Sequence, residues 1–175
     1  MAKDIEPKLQ NITQYFSFDD EEDIFVIPEY QRSYSWNITQ CDKLWQDIEN
    51  YIDSGLKEPY FFGTVIIDCS TPNQFNLIDG QQRTTTFLLL LKAMQLRLTE
   101  ILDAFKLDED TQKLHNSFKR KQEKILRLLY KCNDETIEHL FEDWNYVKNI
   151  TVLENHSINE QYKAELKNIH EAETF

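Results

Sequence analysis

The stretch from Gln74 to Leu102 constrains this chain more than any other. It reads QFNLID, then a single glycine, then QQRTTTFLLLLKAMQLRL. The first six residues read as a strand. From Gly80 a long helix is expected to run to about Leu102. A strand feeding straight into a helix sets the helix's unpaired first N–H groups and positive dipole end beside a sheet. This points to an α/β (α+β) fold. The helix carries Phe87, Leu88, Leu89, Leu90, Leu91, Met94 and Leu98, so it is apolar almost all round and is expected to lie between layers.

The rest of the first half fits around this junction. Leu9, Ile12, Tyr15 and Phe16 predict a short helix within residues 6–18, with Pro7 in its first turn. The acidic run Asp19–Asp23 reads as a solvated connector, and Ile24–Pro28 as a short buried strand. Residues 40–54 place Cys41, Leu44, Trp45, Ile48 and Ile52 on one helical face, with Asn37 or Thr39 as cap and Gly55 as terminator. The aromatic and β-branched segment 60–69 predicts a strand. Thr71-Pro72-Asn73 is turn chemistry, so this strand and 74–79 form a hairpin. After residue 105 helices are expected near 111–131, 134–146 and 158–172, with no convincing strand. The expected organisation is an α/β domain over 1–105, then a helical segment over 106–175 that begins a larger helical domain. The last helix runs out at Phe175 without a packing terminus, which suggests a longer parent chain.

Composition limits the function classes. The net charge is −12, so the protein does not hold nucleic acid by bulk charge, and any such contact needs a local patch. Cys41, Cys69 and Cys132 are isolated and without CxxC spacing, which suits reduced thiols in the cytoplasm. The N-terminus shows no secretory pattern, and the apolar run Phe87–Leu91 is too short to cross a membrane.

Two segments carry candidate chemistry. The first is IPEYQRSYSW, Ile27–Trp36. If extended, it sets Tyr30, Arg32, Tyr34 and Trp36 on one face, an arrangement suited to phosphate pairing and base stacking. The same pattern also suits aromatic core residues with Arg32 paired to a carboxylate. The second is LIDGQQRTTT, Leu77–Thr86. It lacks the P-loop spacing but offers an anion the helix N-terminus, the amides of Gln81 and Gln82, the fork of Arg83 and the hydroxyl of Thr84 or Thr85. Gly80 would let a phosphate approach the backbone, and Asp79 could hold magnesium through water. The alternative is local: Asp79 and Gln82 have the spacing of a capping box, and Asp79 with Arg83 that of an ion pair one turn apart. Two of the three glycines, Gly63 and Gly80, fall where close backbone approach would matter.

Taken in order, IPxYQRxYxW, then FGTV, then DGQQRxTT resembles the N-terminal domain of GmrSD-type proteins. These are modification-dependent (type IV) restriction systems and related phage-defence proteins. The resemblance covers about residues 10–105. It implies a ParB/sulfiredoxin-like fold, a small mixed sheet with helices, whose loop before a helix binds a nucleotide phosphate. Asp79, Gly80, Gln81, Gln82 and Arg83 match its DGQQR element, and Tyr30, Gln31 and Arg32 its YQR element. Joined to the chemistry of the junction, this gives a first hypothesis: a nucleoside triphosphate with magnesium as ligand, Arg83 and the amides near Gly80 on its phosphates with Thr84 as a further contact, Asp79 placing the metal or water, and Arg32 adding charge stabilisation if hydrolysis occurs. Whether this chain turns nucleotide over is left open.

The implied partners are modified DNA and an HNH-type nuclease domain or subunit. A second copy of the chain is a further candidate partner. The four histidines show no H–N–H arrangement, so the cutting chemistry is expected elsewhere. Glu135, Glu138, His139, Glu142 and Asp143 have the look of metal ligands on a helix, a pattern acidic helices often show. A competing reading is a DNA-binding module without turnover. It would use Tyr34, Trp36 and the stripe Arg120, Lys124 and Arg127 on the one basic helix.

Overall fold

The computed structural model describes residues 5–18, 20–104, 111–133, 136–137 and 151–157. The helices expected near 134–146 and 158–172, the acidic cluster Glu135–Asp143 and Asp19 lie outside the described residues. The architecture is mixed α/β, with α1 (Ile12–Phe16), β1 (Ile24–Ile27), α2 (Ile38–Ser54), β2 (Ile66–Thr71), β3 (Gln74–Asp79), α3 (Gln81–Ala104), α4 (Gln112–Leu129) and β4 (Leu153–Asn155). The strands form one sheet in the order β2-β3-β1-β4. The chain divides into two compact units, Phe25–Leu90 with Leu153–Phe175 and Met1–Ile24 with Leu91–Val152.

The first of these units holds the sheet. β2 and β3 pair antiparallel through the turn at Pro72-Asn73, with Ile67 opposite Leu77 and Thr71 opposite Gln74. The ladder is irregular between Ile66 and Ile67, beside Asp79. β1 and β4 pair parallel, Phe25 with Leu153 and Ile27 with Asn155, and the His156 N–H extends the ladder to the Ile27 carbonyl at 2.9 Å. Phe25, Val26, Ile27 and Leu77 form the centre of this core. α2 is capped as its sequence predicts: Asn37 accepts from the Thr39 N–H, the Gln40 side chain accepts from the Asn37 N–H, and Gly55 closes the last turn. Its apolar face is only half-covered, with Trp45 46% and Ile52 67% exposed. A run of edge-to-face aromatic contacts links Tyr60 to Phe62 and Phe62 to Phe87.

The second unit packs α1 and α4 with the later turns of α3. Phe16, Leu126, Leu129, Tyr130 and Val152 are buried. Two glutamines are buried here as well, and both are satisfied at one hydroxyl: Gln122 and Gln95 donate to Thr99 Oγ1 at 2.7 and 3.1 Å. A buried amide left unpaired would cost about 1–3 kcal/mol, which explains the pairing.

Four expectations are corrected. The opening helix starts at Ile12, because the reciprocal bonds between Asn11 and Gln14 fix the cap there, and Pro7 lies outside it. The strand expected over 60–69 begins only at Ile66. The carbonyls of Phe62 and Thr64 are taken by Arg83 instead of a neighbouring strand. The burial of α3 is the reverse of the expectation: its polar start is its most buried part, with Thr84 1%, Thr85 2% and Gln81 6% exposed, while Leu88–Leu91 are half-buried. Finally, a strand does follow residue 105, since Leu153–Asn155 completes the sheet.

Candidate functional site

The two segments singled out in the sequence come together at the β3–α3 junction. Ile27–Trp36 is not an extended strand after β1; it turns at once, with the Gln31 N–H bonded to the Pro28 carbonyl at 3.0 Å. Its aromatic residues therefore do not share a strand face. Tyr30 is 72% exposed, Tyr34 and Trp36 are half-buried, and the Tyr34 hydroxyl bonds Thr86 Oγ1 at 2.9 Å.

The glutamines of the junction hold this segment in place. Gln81 Nε2 donates to the Arg32 carbonyl at 2.7 Å. Gln82 Nε2 donates to the Ser33 carbonyl at 3.1 Å, and its Oε1 accepts from the Ser35 N–H at 2.8 Å. Gln31 Nε2 donates to the Ile78 carbonyl at 2.8 Å. The spacing of a capping box is present, but Gln82 is engaged with Ser33 and Ser35, so no such box forms.

Arg83 is committed as well. Its guanidinium donates to the carbonyls of Phe62 at 3.3 Å and Thr64 at 2.5 Å, and stands 3.9 Å from Asp79 Oδ2. The ion pair expected from the spacing is therefore present. Gly63 makes the fork geometrically possible: a Cβ there would lie 1.8 Å from Arg83 Nη1, at a backbone φ of +102°. Gly80, at φ +90°, admits Val65, whose Cγ2 would be 2.8 Å from a Cβ. Both glycines thus serve contacts within the fold.

A small recess, too tight in this structure to hold a water molecule, lies beside these bonds and is lined by Ile27, Arg32, Tyr34, Gln81, Gln82, Thr85, Asn155 and Ser157. It sits at the carboxyl ends of the parallel strands β1 and β4, where open α/β sheets place their ligands. The N–H groups of Gln81, Gln82 and Arg83 precede the first rung of the helix ladder, which is Thr84 N–H to the Gly80 carbonyl, and have no partner among the described residues. Arg32 is exposed, and its guanidinium has no carboxylate partner among the described residues. Thr84, by contrast, is 1% exposed, so its hydroxyl would meet a ligand only if the helix start opened.

Asp79 is 66% exposed at the end of β3, and no cluster of three metal-ligating side chains exists among the described residues. The basic helix is as expected: Arg120, Lys124 and Arg127 are exposed on α4, opposite buried Gln122, Ile125 and Leu129. Among the described helices none is long and apolar enough to cross a membrane. Two lining residues, Asn155 and Ser157, were not anticipated. Their only sequence signal is an N-x-S pair in a polar stretch, and three residues of strand give no periodicity to read.

Curated proteins return no significant match. The family model described as GmrSD restriction endonuclease, N-terminal domain, matches residues 12–174, so it takes in β4 and its turn as well as the β3–α3 junction. The chain belongs to the family of GmrSD restriction endonuclease N-terminal domains.

Proposed function

We propose that this protein is the nucleotide-sensing part of a DNA restriction system acting in phage defence, with the recess at the start of α3 receiving the phosphates of a nucleoside triphosphate. The observation that supports this most is Arg32. It is an exposed cation without a carboxylate partner among the described residues; its backbone carbonyl is held by Gln81, and Ser33 beside it by Gln82, next to the unpaired helix N–H groups. Arg83 has a different part in this reading: it braces the 62–64 segment and keeps the junction in shape.

The recess is too tight in this structure to hold a water molecule, so a phosphate enters only if its walls part. Base and ribose would stay outside, where the exposed ring of Tyr30 is free to stack. Magnesium usually binds through one or two carboxylates plus substrate phosphates, and Asp79 is the carboxylate available at this junction. The metal would supply charge neutralisation for the phosphates. DNA cleavage is assigned to an HNH-type nuclease partner, in the cytoplasm.

The test is calorimetric titration of the purified chain with ATP and with GTP, each with magnesium, for wild type and Arg32→Ala. Circular dichroism monitors folding of both. Wild-type binding with at least tenfold loss in the variant, about 1.4 kcal/mol, supports the reading. Equal binding by a folded Arg32→Ala refutes it.

A second reading rests on α4. Lys113, Lys119, Arg120, Lys121, Lys124 and Arg127 face a single acidic residue, Glu123, on that helix, in a chain of net charge −12. This is where the protein would meet the DNA backbone.

A further inference from the structure

The far wall of the recess comes from the end of the described chain, and its polar groups are unlike those of the near wall. On the near wall Gln81, Gln82 and Tyr34 are bonded to the fold. On the far wall Ser157 is 3% exposed, and its Oγ is buried with no hydrogen-bond partner. Native folds leave few buried polar atoms in that condition, and those that remain call for an explanation. Its neighbour Asn155 uses Oδ1 to accept from the Ser157 N–H at 3.0 Å, a local turn that fixes the Asn155 side chain. That bond leaves the Asn155 Nδ2 donor without a partner among the described residues.

We propose that, when the recess opens to admit a ligand, Asn155 Nδ2 and the Ser157 hydroxyl donate to its phosphate oxygens together with Arg32. This inference rests on the phosphate-binding reading above and extends it to β4. It has a mechanical consequence. β4 is three residues long and is held to β1 by a short parallel ladder. A ligand touching the α3 start on one side and Asn155 and Ser157 on the other adds a bridge across that ladder. Occupancy therefore pins β4 to β1, and the state of the recess is transmitted to whatever follows β4 in the chain.

The test uses the whole chain with three probes: magnesium GTP, inorganic triphosphate and inorganic phosphate. Together they separate a nucleotide's phosphates from free phosphate. Ser157→Ala and Asn155→Asp are compared with wild type. The aspartate keeps an acceptor for the Ser157 N–H but replaces the Nδ2 donor with an anionic oxygen facing the phosphate. Removing a hydrogen bond to a charged ligand is expected to weaken binding by about tenfold or more for Ser157→Ala. Asn155→Asp is expected to abolish detectable binding. Melting temperature is expected to stay level or rise for Ser157→Ala, since the hydroxyl bonds nothing in the fold. Ser157→Thr, which retains a hydroxyl, is expected to recover most of the affinity.

Hydrogen exchange at residues 153–157 is expected to slow when the tightest probe binds. Wild-type binding left unchanged by both variants would overturn the inference while leaving the phosphate-binding reading intact. Weakened binding with no change in exchange at 153–157 would overturn the pinning. No binding of any probe by wild type at millimolar concentration would overturn both readings together.

Discussion

Adding one methyl group at Gly63 tests how the junction is built. The new Cβ would sit 1.8 Å from Arg83 Nη1, so the guanidinium must leave. Leaving is sterically easy for a flexible side chain, but it breaks the bonds to the Phe62 and Thr64 carbonyls. Hydrogen bonds from a charged donor contribute about 1.5–3 kcal/mol each. Arg83 is 30% exposed, so the lower end applies, and the two bonds together are worth roughly 3 kcal/mol. The backbone at φ +102° adds about 2 kcal/mol of strain for any residue but glycine.

Gly63→Ala should therefore destabilise by roughly 5 kcal/mol, and Arg83→Ala by roughly 3 kcal/mol. The double variant should also lose roughly 5 kcal/mol rather than 8, because the alanine then evicts nothing. The assay is urea unfolding of the four proteins by circular dichroism, with the slopes checked for constancy. Additive losses would refute the argument, because they would mean that Gly63 and Arg83 act separately.

Four other outcomes follow from the structure. Gln82→Met should destabilise by about 2 kcal/mol and make the 29–36 segment easier to cleave by protease, because Ser33 and Ser35 lose their side-chain partner. Burial pushes the Cys132 thiol above its ordinary pKa, with Arg127 opposing, so iodoacetamide should label exposed Cys69 first, and Cys132 should react only as pH passes the usual thiol range. The same raised value means the folded state holds that proton more tightly. Its stabilising share is full below the ordinary thiol range and is lost as pH climbs through the elevated one, which a pH series of melting temperatures would detect. If α4 meets DNA, replacing Arg120 and Lys124 with alanine should make the dependence of log K on log salt shallower by about 2, measured by fluorescence anisotropy.

The parts of this fold that were legible in the sequence are those set by neighbours in the chain. Asn37 and Gly55 bracket α2, Pro72-Asn73 turns the hairpin, and Gly80 begins α3, each through local backbone chemistry. What could not be read depends on distant partners. Residues 153–155 become a strand only because β1 offers an edge. The glutamines after Gly80 could be recognised as donors, but not that Gln81 and Gln82 would turn to the carbonyls of Arg32 and Ser33. The same limit applies to the two arginines. Both looked equally suited to phosphate, and only the 62–64 loop shows that Arg83 is engaged and Arg32 is not.

The pairing of β1 with β4 also bears on how the protein is made. Phe25 and Leu153 are neighbours in the sheet but lie most of the chain apart, so closing their contact carries a loop-closure entropy that disfavours its forming early. On the ribosome, the buried strand Phe25–Ile27 has to wait for nearly the whole sequence to emerge before its second edge is covered. An expression truncation near residue 105 would remove that cover permanently, leaving an apolar strand edge free to pair with other molecules. Such a product should accumulate as aggregate, whereas a chain ending beyond Ser157 retains the residues that close the sheet.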